Sequence, residues 1–386
     1  MSGTSRKIQI AVALTLVVAF AVLSRSYAQD ATQSPKPVNA DWRPNRPTKG
    51  VKFVGSQVCA GCHKTKATSQ PKTSMGLALA APRNCTILSS HSKLTFRNGK
   101  YEYAITRDAD RSLYTVTDGT STISVPVLYC FGKGDGGQSY VLQYTDKYYE
   151  SRVSFYADIT GLDLTMGHVP TPPPSLEEAM GREMAMSEAR SCFGCHSTNS
   201  LEGSTLRLEQ LVEGVTCEAC HGPGEKHVEA MRKGEFGSKQ IFNPAKLNTD
   251  GVSDFCGTCH RTWEQVALMN IRGVFNVRFQ PYRLANSKCY DSDDKRISCI
   301  ACHDPHEPRK HDSAFYDSKC AACHAKNSSA AVAGSAPGNA RAARLCPTGK
   351  ANCVSCHMPQ YEIPGSHLKF SDHHIRIVKP GDQYPN

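Results

Sequence analysis

The sequence predicts an α+β protein, in which an N-terminal antiparallel β domain is followed by a mostly α-helical and loop domain with little regular structure. Three observations support this fold class: alternating apolar residues over 86–169, a proline-rich segment directly after them, and six closely spaced Cys-x-x-Cys-His motifs in the rest of the chain. The 386 residues are 39% hydrophobic, which is enough for an ordinary core in one large or two smaller domains.

The first 28 residues have the features of an export signal. Arg6 and Lys7 precede an apolar run from Ile10 to Leu23, and small residues up to Ala28 suit a signal peptidase. Cleavage after Ala28 is favoured over an uncleaved anchor, because the apolar run is shorter than the roughly 20 residues of a membrane-spanning helix. The sequence therefore predicts a periplasmic or extracellular protein with no membrane span after cleavage.

Alternating residues between 86 and 169 predict about six antiparallel strands. The first two, at 94–96 and 101–105, flank Asn98 and Gly99, which form a typical two-residue hairpin turn. The others are predicted at 114–116, 123–127, 140–144 and 153–155, with a turn near Asp146 and Lys147. A sheet domain without a Cys-x-x-Cys-His motif of its own is expected.

Two other segments are predicted from composition and spacing. Residues 29–50 are rich in Pro, Asn, Thr and Gln without an apolar period, which is typical of a flexible leader. The prolines of 170–175 predict a stiff linker. Ser175 and Glu178 have the spacing of a capping box, so we expect a helix that begins there and continues through about Ala189.

Fourteen of the 18 cysteines lie in seven Cys-x-x-Cys-His motifs. In chain order, the motif residues are Cys59, Cys62 and His63; Cys192, Cys195 and His196; Cys217, Cys220 and His221; Cys256, Cys259 and His260; Cys299, Cys302 and His303; Cys320, Cys323 and His324; and Cys353, Cys356 and His357. A single Cys-x-x-Cys also occurs in zinc sites and redox dithiols. A His directly after all seven pairs is instead typical of covalent haem attachment.

Each residue of the motif has a role in that chemistry. The two thiols form thioethers with the haem vinyl groups, and the adjoining imidazole binds the iron as proximal ligand. The sequence therefore predicts seven covalently bound haems c. With them, the chain divides into a signal peptide at 1–28, a flexible leader at 29–50, a first haem segment at 51–85, an antiparallel β domain at 86–169, a Pro-rich linker at 170–175 and a six-haem cytochrome domain at 176–386.

The positive charge has an explanation other than nucleic-acid binding. Removal of Arg6, Lys7 and Arg25 with the signal lowers the formal charge from +10 to +7, with 42 basic and 35 acidic residues remaining. Each haem adds two propionates and one net positive charge at its ferric core, so seven haems offset about seven positive charges. The Lys and Arg residues do not cluster, so no nucleic-acid partner is predicted.

Eight histidines lie outside the motifs, and seven irons need seven distal ligands. This near-equality favours iron ligation for most of them. The distal candidates are His91, His168, His227, His306, His367 and His373, with Met75, His374 and His311 ranked lower. The three residues from His303 to His306 span at most about 10 Å, too short to pass around a porphyrin. If His306 binds iron, it therefore binds that of a neighbouring haem.

The remaining cysteines are Cys85, Cys130, Cys289 and Cys346. An even number of extra cysteines in an oxidising compartment indicates disulfides, and the plausible pairs are Cys85 with Cys130 and Cys289 with Cys346. Buried free thiols are an equally weighted alternative. Met75 has two interpretations as well: a thioether ligand would raise the potential of the first haem, whereas a packing residue would have no such effect.

The sequences around the motifs resemble a known family. The relevant segments are Cys-Phe-Gly-Cys-His-Ser-Thr-Asn from Cys192, Gly-Val-Thr-Cys-Glu-Ala-Cys-His-Gly-Pro-Gly from Gly214, Phe-Cys-Gly-Thr-Cys-His-Arg-Thr-Trp from Phe255, and the sequences Cys-His-Asp-Pro-His and Cys-His-Met-Pro further on. They resemble the cytochrome c-552/4 domain family of exported bacterial multihaem cytochromes, over most of the chain from about residue 53. The resemblance implies alternating parallel-stacked and perpendicular haem pairs with mostly bis-histidine ligation.

That family includes both electron carriers and enzymes, so the resemblance implies either function. The Cys-x-x-Cys-Lys variant of its nitrite reductases is absent here, and Met75 stands where relatives often have a His. An electron carrier with redox partner proteins is favoured over an enzyme, because saturated irons cannot bind substrate. The alternatives are an oxidoreductase acting on a small nitrogen or sulfur compound at one open-coordinate haem, and a filament subunit; oligomerisation is left open.

Overall fold

The computed structural model describes residues 42–44, 52–237, 240–324, 351–379 and 381–385. The predicted signal peptide, most of the predicted leader and Cys346 lie outside the described residues. No helix of these residues combines the length and the apolar character needed to span a bilayer.

A ten-stranded antiparallel sheet forms the first part of the described chain. Its strands are β1 (Leu79–Ala80), β2 (Lys93–Asn98), β3 (Tyr101–Asp108), β4 (Arg111–Thr117), β5 (Thr122–Phe131), β6 (Gly137–Tyr144), β7 (Lys147–Ser151), β8 (Val153–Tyr156), β9 (Gly161–Leu164) and β10 (Gly181–Glu183). The strand order is β10-β7-β6-β5-β4-β3-β2, while β1 pairs with β5, and β8 pairs with β6 and β9. Consecutive strands are therefore mostly joined by hairpins.

The helices of the described residues are mostly short and lie before and after this sheet. They are α1 (Ser56–Ala60), α2 (Lys64–Ser69), α3 (Thr86–Ser90), α4 (Leu176–Met180), α5 (Met186–His196), α6 (Cys217–His221), α7 (Glu225–Arg232), α8 (Thr249–His260), α9 (Trp263–Leu268), α10 (Gln280–Ala285), α11 (Cys299–Cys302), α12 (Ser313–His324) and α13 (Cys353–His357). Three small hairpins accompany them: β11 (Ser197–Thr198) with β14 (Val212–Glu213), β12 (Leu201–Glu202) with β13 (Thr205–Leu206), and β15 (Gln360–Glu362) with β16 (Lys369–Ser371). The predicted α+β class is confirmed.

The sheet has more strands than the sequence predicted. The six predicted strands correspond to β2, β3, β4, β5, β6 and β8, and the turn at Gly99 has the positive φ of 60° that this hairpin requires. Four strands were missed. Of these, β1 and β10 have two and three residues, too few for a period of two to be recognised, whereas β7 and β9 have five and four. The second predicted turn lies one residue earlier, with positive φ at Thr145 and Asp146, so that Lys147 already begins β7.

The helix predicted from Ser175 through about Ala189 is interrupted after Met180, and helical structure returns only at Met186, where α5 begins. Ser175 caps α4 as expected, since its hydroxyl accepts a hydrogen bond from the Glu178 N–H at 3.2 Å. The chain then leaves the helix and pairs with β7 as β10. A side chain at Gly181 would collide with the Glu150 carbonyl oxygen, so this close backbone pairing overrides the local helix propensity.

The apolar core is concentrated in the sheet. Nineteen buried residues form its main cluster, and five of them are tyrosines: Tyr101, Tyr103, Tyr114, Tyr140 and Tyr149. A second cluster joins β5 and β6 to α5. Beyond the sheet, the described residues form one small cluster, of Trp42, Phe242 and Phe255. Trp42 belongs to the predicted flexible leader, yet its indole N–H donates to the Ala219 carbonyl at 2.9 Å, so this part of the leader is packed.

The structure brings Cys85 and Cys130 together within the sheet core. Both are at most 1% exposed, and their thiols interact with each other. If the chain is exported, as its N-terminus predicts, we expect a disulfide between them that closes a loop of about 45 residues and stabilises the fold by about 4 kcal/mol. Thiol alkylation before and after reduction, read by mass spectrometry, checks this. Complete labelling of both residues without reductant would contradict it.

Candidate haem sites

The seven motifs all lie in helices or directly after one. In α5, α6, α8, α12 and α13 the motif forms the end of the helix. A spacing of three residues places both thiols on the same face of a helical turn. This arrangement suits the attachment of two thiols to the two vinyl groups of one haem, and the described cysteines form no disulfide that would occupy them.

Three motif histidines face a second imidazole. The ring centroids of His63 and His227 are 6.3 Å apart, with an angle of 23° between the ring planes. The corresponding values are 6.0 Å and 13° for His221 and His306, and 6.2 Å and 40° for His303 and His373. In each pair, one member belongs to a motif and the other was a distal candidate.

These separations are those of two ligands on opposite sides of one metal. A metal–imidazole nitrogen bond is about 2 Å and the ring centroid lies about 1 Å beyond the nitrogen, so two imidazoles across one iron have centroids about 6 Å apart. Aromatic rings in direct contact have centroids between about 4.5 and 7 Å apart, so the distance is informative together with the repeated pairing of a motif histidine with a distal candidate. The residues present therefore fit a bis-histidine haem c at the first, third and fifth motifs.

Backbone carbonyls orient several of these rings through Nδ1. The distances are 2.9 Å from His221 to the Phe242 oxygen, 3.0 Å from His373 to the Ser371 oxygen, 3.2 Å from His196 to the Ala78 oxygen and 2.9 Å from His357 to the Arg376 oxygen. His306 Nδ1 lies 2.9 Å from a carboxylate oxygen of Asp304. With Nδ1 engaged in this way, Nε2 is the nitrogen available to a metal, as in most metal-bound histidines.

Burial favours the neutral form of several of these imidazoles. Desolvation lowers the pKa of His373 to about 4, and the positive charge of nearby His303 lowers it further in the same direction. Desolvation also lowers the pKa values of His196, His221, His260 and His303. The neutral imidazole is the form that binds metals.

The other three distal candidates, His91, His168 and His367, make no ring contact with a motif histidine within the described residues. His91 Nδ1 is 2.9 Å from the Ile87 oxygen and its ring packs on Phe155, while His367 Nε2 lies 2.8 Å from a carboxylate oxygen of Asp163. His168 is buried on the sheet, where its Nε2 makes no hydrogen bond within the described residues. Desolvation lowers the pKa of His168 to about 4.

The three candidates ranked lower, Met75, His374 and His311, have less specific surroundings. The side chain opposite His63 is that of His227 and not that of Met75. The Met75 carbonyl accepts a hydrogen bond from the Val215 N–H at 2.9 Å. His374 has a buried Nδ1 without a hydrogen-bond partner in the described chain. His311 is exposed in its loop.

Thiols of different motifs contact each other. Direct interactions connect the first motif with the third, the second with the fourth, the fourth with the fifth and the sixth with the seventh, through the pairs Cys59–Cys217, Cys195–Cys259, Cys256–Cys299 and Cys320–Cys353. Electrostatic interactions connect Cys220 with Cys259 and Cys302 with Cys320. Because each thiol attaches at a porphyrin edge, these contacts bring the attachment edges of neighbouring sites together.

Two charged groups that support these sites were missed by the sequence analysis. Glu218, between the two cysteines of the third motif, is 3% exposed. Asp372, directly before His373, is fully buried against Arg283. A charged residue inside or next to a motif is a local signal, but its burial depends on residues more than 80 positions away and is visible only in the fold.

The comparisons with known proteins agree with this chemistry. Residues 173–222, which contain the second and third motifs, match the family described as cytochrome c554 and c-prime. No curated protein matches the chain. Among solved structures, the outer cell wall cytochrome OcwA aligns with 54% of this chain and 37% of its own, at 18% identity and a TM-score of 0.30. The chain thus covers less than half of OcwA, and a likeness of this size carries no argument here.

The family match covers two of the seven repeated motifs, and the five others have the same pattern. Proteins of this class bind haem c covalently through Cys-x-x-Cys-His and use it for electron transfer. The match over 173–222 and the repetition of its motif support the identification of the chain as a multihaem c-type cytochrome.

Proposed function

We propose that this chain is a periplasmic or extracellular heptahaem cytochrome, which transfers electrons between redox partner proteins along closely packed, mostly bis-histidine haems. The observation that carries the proposal is the placement of three imidazole pairs at iron-spanning separations of 6.0–6.3 Å. The seven motifs supply the attachment sites, and the features of 1–28 support export. When bound, haem c supplies a one-electron carrier.

The contacts between motifs support a defined electron path. They join the sites in the order first, third, fourth, fifth, sixth and seventh, and the second site branches from the fourth. This order differs from the order of the motifs along the chain. Haems attached to these motifs would have their attachment edges close together, and short edge-to-edge distances are what electron transfer through protein requires.

The loop from His303 to His306 links two sites of this path. His303 is the motif histidine of the fifth site, and His306 lies opposite His221 of the third. Asp304 within the loop holds His306 and also accepts a hydrogen bond from the Lys66 ammonium at 2.9 Å. Lys66 is on α2, directly after the first motif, so one short loop fixes the relative positions of three sites.

A haem count and a spin-state spectrum test the proposal. For the mature protein, made in a host competent for cytochrome c maturation, we expect seven haems per chain in the pyridine haemochrome assay and mainly low-spin ferric EPR signals. The double variant Cys59→Ala/Cys62→Ala should contain six. A colourless protein with titratable or zinc-filled thiols would contradict the proposal, and so would a double variant with an unchanged haem count.

One observation favours a second candidate function, an oxidoreductase acting on a small nitrogen or sulfur compound at one open-coordinate haem. Within the described residues, the rings of the motif histidines His196, His260 and His357 have no second imidazole stacked opposite them. Arg278 is half-buried and forms no ion pair within the described residues. Burial lowers the pKa of its guanidinium. A high-spin EPR signal that changes on addition of nitrite or hydroxylamine would support this candidate. A spectrum with low-spin signals alone would exclude it.

A further inference from the structure

A buried carboxylate lies inside the third motif. Glu218 occupies the position after Cys217, on the short helix α6, and only 3% of its surface is exposed. Glutamate is among the residues least often buried without a partner, because removing its charge from water costs several kcal/mol. Its position therefore needs a compensating interaction.

Three backbone N–H groups provide hydrogen bonds to this carboxylate. Those of Val54 and Gly55 donate to Oε1 and Oε2 at 2.9 and 2.8 Å. That of Gly224 donates to Oε1 at 2.8 Å. No Lys, Arg or His of the described residues forms an ion pair with Glu218, so the negative charge is hydrogen-bonded but not neutralised by a side chain.

These three contacts connect both halves of the first site to the third. Val54 and Gly55 directly precede α1, which carries Cys59 of the first motif. Gly224 caps α7, which carries His227, the imidazole opposite His63. The fit is close: a Cβ at Gly224 would lie 2.9 Å from a Val54 methyl group and 3.3 Å from Glu218 Oε1. The carboxylate is thus fixed between two neighbouring sites.

A fixed negative charge at this place acts on both irons. The ferric iron carries one more positive charge than the ferrous iron, so a nearby carboxylate stabilises the oxidised form and opposes uptake of an electron. The effect is larger in a buried, low-dielectric environment than at the surface, where water and salt screen it. Hydrogen bonds without the charge would hold the chain in position but would not stabilise the ferric form over the ferrous form.

We propose that Glu218 lowers the reduction potentials of the haems at the first and third motifs, in addition to holding the two sites together. This inference rests on the proposed haem occupancy of these sites. The step concerned is the one-electron reduction of ferric to ferrous iron by an electron from a redox partner protein. Glu218 binds neither substrate nor iron and is a positioning and tuning residue.

The test is a spectroelectrochemical titration of the full-length holoprotein and three variants. Glu218→Gln keeps the size of the side chain and removes its charge, and we expect the midpoint potentials of two haems to shift upward while the others stay. Glu218→Asp retains the charge, so its potentials should stay close to those of the wild type. Glu225→Gln is the matched control: it removes a carboxylate seven residues away that is 40% exposed and paired with Lys52, and no shift is expected.

The results separate this inference from the proposed function. Unchanged potentials in Glu218→Gln, or equal upward shifts in Glu218→Asp and Glu218→Gln, would overturn the role of the charge while seven haems remain bound. A wild-type protein without haems at these motifs would instead overturn the proposed function. Should Glu218→Gln not mature, Glu218→Ser replaces it, with the same upward shift expected and an unchanged titration as the contradicting result.

Discussion

Replacement of His306 by alanine is expected to convert one of the low-spin haems into a high-spin, five-coordinate haem. His306 lies opposite His221, and its Nδ1 is held by Asp304 at 2.9 Å, so that Nε2 is directed to the proposed iron. Loss of an imidazole ligand also raises the potential, because a strong-field nitrogen donor is removed from the ferric iron. The effect should be confined to the third site.

EPR and absorption spectra of the purified variant check this result. One high-spin signal should appear, and the haem count should not change, because the thioether bonds of the third motif are untouched. His311→Ala is the matched control, since this exposed histidine lies five residues further along the same loop region. A purely low-spin spectrum for His306→Ala, or a high-spin signal for His311→Ala, would show that His306 is not the distal ligand.

Replacement of Arg283 by methionine is expected to lower the free energy of unfolding by about 3 kcal/mol, because the buried Asp372 then keeps only one of its two arginine partners, Arg376 at 2.5 Å. Arg283 and Asp372 are both fully buried, and the guanidinium donates to the two carboxylate oxygens at 2.8 and 2.9 Å. Arg283 also donates to the Asn276 side chain, and the Tyr384 ring lies 4.6 Å from it. All these contacts are lost together.

The same variant should disturb the fifth site. Asp372 directly precedes His373, and its carboxylate accepts the His374 N–H at 3.0 Å. Ser287, at the end of α10, donates to the His373 carbonyl at 3.1 Å. The ion pair therefore fixes the segment that carries the imidazole opposite His303, and its removal should weaken one low-spin EPR signal.

Chemical unfolding and EPR of the same samples check both effects. Arg296→Met is the control, because its ion pair with Asp294 is 30–40% exposed and such pairs contribute about 0–1 kcal/mol. The double variant Arg283→Met/Asp372→Leu removes both charges and should recover part of the lost stability. A loss no larger than that of Arg296→Met would show that the pair does not stabilise this segment.

The fold was predictable from the sequence where the signal is local. Strand alternation located β2 to β6 and β8, the pair Asn98 and Gly99 located a hairpin, and Ser175 located a helix start. The end of that helix was not predictable, because it depends on pairing of Gly181 with β7, some 30 residues earlier. Very short strands carry too few residues for a periodic signal.

The residues of the candidate sites were likewise predictable from the sequence only where the signal is local. Attachment residues follow from a contiguous motif, and the short reach of the His303–His306 loop predicts that His306, if it binds iron, binds that of another site. The assignment of His227 to the side of His63 needs the fold, because 164 residues separate them. Glu218 and the Arg283–Asp372 pair were missed for the same reason, since Glu218 binds Val54 at a separation of 164 positions and Arg283 binds Asp372 at a separation of 89.

The location of the apolar core has a consequence for biosynthesis. The sheet contains nineteen mutually packed buried residues, whereas the described residues beyond it form one cluster of three. If the chain is exported as proposed, a newly translocated chain without cofactor can complete its sheet but lacks the apolar core needed to fold the rest. Maturation then becomes the folding step for the second half, and a protease should trim unmatured chains down to a resistant N-terminal fragment.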